Sequence, residues 1–121
     1  MFSCQYHLIF CPKYRRKVLV DGVDTRLKQL IIEKQEQYGY VVLEMEVMPD
    51  HVHLLLDIDP RVGVMKVTAQ IKGFTAHCLR AEFPSLRSRI PCLWTRSKFI
   101  STVGSVSLEV VKQYILDQKN K

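Results

Sequence analysis

Two spacings of apolar residues alternate along this chain, and each change from one to the other marks an element. Cys4 to Cys11 is rich in β-forming residues and stops at Pro12, which predicts a first strand closed by a loop. From Asp21 or Asp24, either one a suitable N-cap, to about Tyr38, the apolar residues Leu27, Leu30, Ile31 and Tyr38 recur at helical spacing, and Gly39 ends the segment. Tyr40 to Met48 returns to a period of two, with Val41, Leu43, Met45 and Val47 on one face and Glu44 and Glu46 on the other. Met48, Pro49 and Asp50 then make a tight turn into a further strand, giving a hairpin. A helix from about Val62 to Phe83 carries Val64, Val67, Ile71, Phe74 and Cys78 along one stripe and is closed by Pro84. Ser85 to Pro91 reads as turns, and Leu93 to Thr102 as a strand or strand pair containing Trp94 and Phe99, broken by Gly104. Ser107 caps a last helix to about Gln118, whose Leu108, Val111 and Ile115 face a core.

Strand, helix, strand, strand, helix, strand, helix is the order of an α+β domain. It predicts one domain over residues 1–121, with helices covering an antiparallel sheet as in ferredoxin-like and RNA-recognition modules. At 121 residues and 47% hydrophobic the chain can build one ordinary core and is too short for two. No apolar run reaches the roughly 18 residues that a membrane helix needs, and the N-terminus has no secretory signal pattern, so a cytoplasmic protein is expected. Cys4, Cys11, Cys78 and Cys92 form no Cys-x-x-Cys pair; they read as reduced, mostly buried thiols, and their spacing gives a zinc site no support.

Charge narrows the partners. Eighteen Lys and Arg against twelve Asp and Glu leave a net of +6, which favours a polyanion: nucleic acid first, an anionic membrane surface second. Lys13, Tyr14, Arg15, Arg16 and Lys17 interleave an aromatic with four cations in one loop, the composition expected for phosphate contacts plus stacking on an unpaired base. Lys66, Lys72, Arg80, Arg87, Arg89, Arg96 and Lys98 extend that basic path, although a basic helix face is also an ordinary solvated one.

The candidate chemistry lies in the run from Met48 to Asp57. His51 and His53 stand two apart on a strand and project the same way, while Val52, Leu54 and Leu56 fill the opposite face. Two adjacent imidazoles can chelate a divalent metal, and buried histidines are costly unless bonded or liganded. The bland reading is a pair of hydrogen-bonded strand histidines with no metal. His-x-His also occurs in cupins and carbonic-anhydrase-like sites. Hydrolases with a third alternating histidine would need one at position 55, where Leu55 stands. On the terminal helix Gln118, an oxygen donor, follows Tyr114 by four residues and shares its face. Should that face pack over the histidine strand, His51, His53 and Gln118 would hold Mg²⁺ or Mn²⁺ with the Tyr114 phenol beside it. Taken singly, Tyr114 reads equally as a core residue and Gln118 as a solvated one. His7 and His77 read as packing residues, and Trp94 as core or dimer interface.

Together these residues resemble the single-tyrosine HUH transposases of small insertion sequences. The resemblance spans nearly the whole chain. It is carried by Tyr6 to Arg16, by Glu46 to Leu56 around Pro49-Asp50-His51-Val52-His53, by Leu93-Trp94 with Ser97 to Gly104, and by Lys112 to Ile115 with Gln118. It implies a homodimeric enzyme that cleaves and rejoins single-stranded DNA near a hairpin. His51 and His53 are then the histidine pair, Gln118 the third ligand of Mg²⁺ or Mn²⁺, and Tyr114 the nucleophile that forms a 5′-phosphotyrosine link. It implies no nucleotide cofactor and no membrane partner, and association with the nucleoid when bound to DNA. Other readings use the same chain: a domesticated repeat-hairpin-binding nuclease, a metal hydrolase without a covalent step, or a non-catalytic basic module of RNA-recognition type. The last leaves Tyr114 and Gln118 without a role.

Overall fold

The computed structural model describes residues 4–102 and 108–118. Its frame is a four-stranded antiparallel sheet made of β1 (Gln5–Phe10), β2 (Tyr40–Met48), β3 (His51–Ile58) and β4 (Phe99–Thr102), in the order β2-β3-β1-β4. The β2–β3 hairpin inserts β3 between its own partner and β1, which is the split βαβ topology of ferredoxin-like α+β domains. The expected fold class is therefore the observed one.

Alternation on the central pair divides the sheet into two faces. Leu8 stands opposite Leu54, Phe10 opposite Val52 and Tyr6 opposite Leu56. Leu8, Phe10, Val52, Leu54 and Leu56 are buried in one cluster with Leu27, Leu30 and Ile31 of α1 (Val23–Glu33) and Val67, Ile71 and Leu79 of α3 (Val64–Glu82). Each such side chain contributes about 1.5–3 kcal/mol by leaving water. Trp94 belongs to this core: its ring meets Phe10 edge to face at 4.7 Å, and its indole N–H donates to Thr75 Oγ1, which in turn donates to the Ile71 carbonyl.

Several boundaries differ from the sequence reading, each for a local reason. Neither Asp21 nor Asp24 caps α1, because Asp21 and Gly22 both turn through positive φ and the helix starts at Val23; Asp24 instead lies in the first turn, at the positive end of the helix dipole. The helix breaks at Lys34 and resumes as α2 (Gln35–Tyr38), ending at Gly39 with φ 82°. A Cβ on Gly39 would come within 3.0 Å of Val62 Cγ2, so glycine is required there by both conformation and space. Ser85–Arg89 forms a short helix, α4, where turns were expected. Leu93 to Lys98 is irregular apart from one bridge between Pro12 and Trp94. Ser107 and Gly104 lie outside the described residues. Among the cysteines, Cys11 is buried and held protonated, its thiol pushed up to about 12 by burial, whereas Cys92 is exposed.

The larger correction concerns β2. A bulge between Val42 and Glu44 shifts the register against β3, so the residues sharing the core face are Tyr40, Val42, Met45 and Val47. Val41 is on the other side, with Glu44 and Glu46, and is exposed. Leu54→Ala should therefore lower stability by about 2–5 kcal/mol, while Val41→Ala should change it by less than about 1 kcal/mol, both read from urea midpoints. Equal losses at the two positions would contradict this division of faces.

Candidate active site

With the helices α1 and α3 sealing one side of the sheet, β3 presents His51, His53 and Leu55 on the other. His51 Nδ1 lies 2.9 Å from Asp50 Oδ1. A carboxylate only accepts, so a ring N–H is on Nδ1, and Nε2 is left for another partner. The second oxygen of Asp50 pairs with Arg15 Nε at 3.2 Å. His53 has a different neighbour: its Nε2 is 3.1 Å from His7 Nδ1, with the rings 5.2 Å apart. Burial, and then the neighbouring His7, hold the His53 pKa below the usual imidazole value, so the ring is neutral at pH 7. A cavity of about 260 Å³ opens beside it, lined by Glu44, Met45, Glu46, His53 and Leu55.

His7 was expected to be a packing residue. The β1–β3 register instead sets it on the histidine face, and no local pattern in the sequence contains that long-range pairing. His77 is exposed on α3, away from this group, in a basic hollow with Arg80 and Arg87.

Tyr114 and Gln118 do share one face of α5 (Leu108–Asp117) and its end, and Gln118 Nε2 donates to the Tyr114 carbonyl at 3.3 Å. What joins their side chains is Ser97. Its hydroxyl donates to Gln118 Oε1 and stands 3.3 Å from the Tyr114 phenol, while the tyrosine ring tilts against Phe99 at 5.6 Å. Gln118 is 1% exposed, not the solvated end of a fraying helix. Burial pushes the Tyr114 pKa up to about 12, against the Ser97 hydrogen bond, which lowers it. Among the described residues, neither Tyr114 nor Gln118 is hydrogen-bonded to His51 or His53.

Ser97 is itself fixed from behind. Lys72 Nζ donates to the carbonyls of Thr95 at 2.7 Å and Ser97 at 3.3 Å. Burial, then Lys98, push the Lys72 pKa down to about 8, which leaves it charged at pH 7. Lys72 thus supports the tyrosine loop, where the sequence suggested only a basic surface.

The basic loop forms a 3-10 turn, Lys13–Arg15, in which Tyr14 and Arg15 both have positive φ. Tyr14 projects outward with the Lys13 ammonium 5.1 Å from its ring centre, and Arg16 and Lys17 are exposed. Arg15 turns inward to Asp50, and its Nη1 donates to the Ile115 carbonyl of α5 at 3.3 Å.

Against known families, the model described as "Transposase IS200 like" matches residues 1–118. The chain belongs to this family. The ISDra2 transposase TnpA of Deinococcus radiodurans is 37% identical over 123 residues, covering all of this chain and 88% of the relative. The transposase for insertion sequence element IS200 of Salmonella typhimurium is 32% identical over 120 residues, covering 97% of this chain and 78% of the relative. A crystal structure from Deinococcus radiodurans R1, described as a transposase, superposes with a TM-score of 0.87 at 35% identity, covering 100% of this chain and 95% of that one. A REP-associated tyrosine transposase bound to a REP hairpin shares the fold, with a TM-score of 0.64 at 12% identity over 95% of this chain and 64% of that one. Membership makes the protein an IS200-like transposase, an enzyme class that cuts DNA and transfers strands. Among the described residues no helix is long and apolar enough to cross a membrane.

The His53 environment predicts a pH dependence for this transposase. Because its folded pKa lies below the unfolded value of about 6.5, the unfolded chain takes up the proton first as pH falls. Stability should drop below about pH 6.5 until the folded pKa is passed, and should be free of this loss above it. Urea midpoints at pH 7.5 and 5.5 should fall less in His53→Gln than in the wild type; an equal fall in both would remove His53 as the cause.

Proposed function

We propose that this transposase cleaves and rejoins single-stranded DNA at hairpin-bearing insertion-sequence ends, using Tyr114 as nucleophile and a divalent ion at His51 and His53. The observation that carries this reading is the pair of imidazoles on the open sheet face, one with its Nδ1 engaged by Asp50 and one held neutral, in a chain of the IS200-like family. Gln118 would offer the third donor, an amide oxygen, once an α5 is brought over the histidines; among the described residues no three His, Cys, Asp or Glu side chains form a metal-binding group. In such a set the amide oxygen is the donor that suits Mn²⁺ or Mg²⁺, and the imidazole nitrogens would complete it. Bound there, the ion supplies Lewis acidity at the scissile phosphate.

The chain's own residues do the rest. The Tyr114 oxygen attacks phosphorus, the bond to the 3′ oxygen breaks, and the products are a 5′-phosphotyrosine and a free 3′-hydroxyl. Rejoining is the reverse attack, so phosphodiester energy is conserved and no nucleotide cofactor enters. With its pKa pushed up to about 12 by burial, the phenol is a weak nucleophile at rest, and it gains reactivity beside a cation or base. Tyr114 and Gln118 rest on Ser97 and not on their own chain's histidines. A homodimer in which the histidines of one subunit meet the α5 of the other accounts for this, and one tyrosine per chain requires two chains to exchange two ends. Exposed Tyr14 with Lys13, Arg16 and Lys17 suits an unpaired base and its phosphates. A hairpin substrate is supported by the REP hairpin bound to the structural relative.

Purified protein incubated with Mn²⁺ or Mg²⁺ and labelled single-stranded hairpin DNA should yield a slow-migrating, protease-sensitive band on a denaturing gel. Tyr114→Phe and EDTA should each abolish the band, while Tyr114→Phe retains hairpin binding. Cleavage that leaves free 5′-phosphate ends and no adduct would replace this reading with that of a non-covalent hydrolase. Binding without cleavage would point to a domesticated repeat-binding protein.

A further inference from the structure

Arg15 sits in a run of four cations that composition assigns to DNA phosphate, but the structure spends it elsewhere. Its side chain is 14% exposed and makes two bonds of different kinds. Nε faces Asp50 Oδ2 at 3.2 Å, and Nη1 reaches the Ile115 carbonyl at 3.3 Å. Asp50 uses its other oxygen to hold His51 Nδ1. Ile115 adjoins Tyr114 in the chain. One guanidinium thus touches the support of a histidine and the backbone of the tyrosine helix, which are 65 positions apart in sequence (115 − 50). The turn that delivers it holds two successive non-glycine residues, Tyr14 and Arg15, at positive φ. Such backbone costs on the order of 1 kcal/mol per residue or more and persists only where surrounding contacts enforce it.

We propose that Arg15 is a positioning residue, which through Asp50 sets the orientation of His51 and through Ile115 anchors its own chain's α5 in the resting place on Ser97, so that the histidine half and the tyrosine half that each subunit contributes keep one reference point. The inference rests on the function proposed above for His51 and Tyr114. A guanidinium suits the task because its planar fork holds two acceptors at fixed angles, which a lysine ammonium cannot reproduce. Carboxylate partners of metal-ligating histidines fix ring orientation, and their loss weakens metal binding by about 10–100-fold.

The experiment compares Arg15→Lys, Arg15→Met and wild type in three measurements: Mn²⁺ affinity without DNA by electron paramagnetic resonance, amide hydrogen exchange of α5, and hairpin affinity across a salt series. Expected are a loss of about tenfold or more in Mn²⁺ affinity in both variants, faster exchange confined to α5, and a salt slope equal to that of wild type. The Asp50→Asn, Arg15→Met double variant should bind Mn²⁺ no more weakly than the worse single variant, because both act through one interaction. A phosphate-binding Arg15 predicts the reverse: unchanged Mn²⁺ affinity, a salt slope shallower by about 0.9 in Arg15→Met, and near-normal binding in Arg15→Lys, and that pattern overturns the proposal. Faster exchange spread over the whole sheet would also overturn it, by making Arg15 a general stabiliser. If wild type binds Mn²⁺ but forms no DNA adduct, the function reading fails, while the metal and exchange measurements, made without DNA, still decide the role of Arg15.

Discussion

Everything in this molecule depends on the antiparallel pairing of β1 with β3 at the centre of the sheet. Because side chains alternate, that pairing sends Leu8, Phe10, Val52, Leu54 and Leu56 into the helices and His7, Ile9, His51 and His53 to the other side. A slip of one residue in either strand would exchange the two sets. Imidazoles would then face leucines without partners, at a cost of several kcal/mol each by the usual scale for burying polar groups. The apolar core and the histidine group are therefore one decision about register, made once.

The two faces are held by different forces. On the helix side the contacts are apolar and continuous. On the histidine side, the ties that hold α5 among the described residues include discrete polar ones, Arg15 to Ile115 and Ser97 to Tyr114 and Gln118, with the Tyr114 ring against Phe99. Each neutral hydrogen bond contributes only about 1 kcal/mol net. Loss of these ties would free α5 without opening the core, as the proposed attack of Tyr114 on a phosphate would require. Lys72 stabilises the loop on which α5 rests.

Much of this was legible in the residues alone. The helical stripe of Leu27, Leu30 and Ile31, the alternation of Val52, Leu54 and Leu56, and the shared face of Tyr114 and Gln118 are local patterns, and local patterns survive in the fold. The bulge in β2 was not legible, because Val41, Leu43, Met45 and Val47 make a regular alternation that only the pairing with β3 interrupts. His7 was missed for the same reason: its contact with His53 spans 46 positions, and a strand histidine gives no sign of its neighbour across the sheet. The partners of Arg15 were not legible either, because composition reports charge and not direction: this one cation turns inward to Asp50 and Ile115 while Arg16 and Lys17 stay outside.

The bulge in β2 also gives the histidine face a direction. By switching the side to which even-numbered residues point, it puts Glu44 and Glu46 opposite Leu55 and His53, along the outer edge of the sheet. A phosphate chain nearing the imidazoles meets like charge from that edge. One inserted residue thereby gives the open face an acidic border, from which the proposed DNA substrate would be repelled.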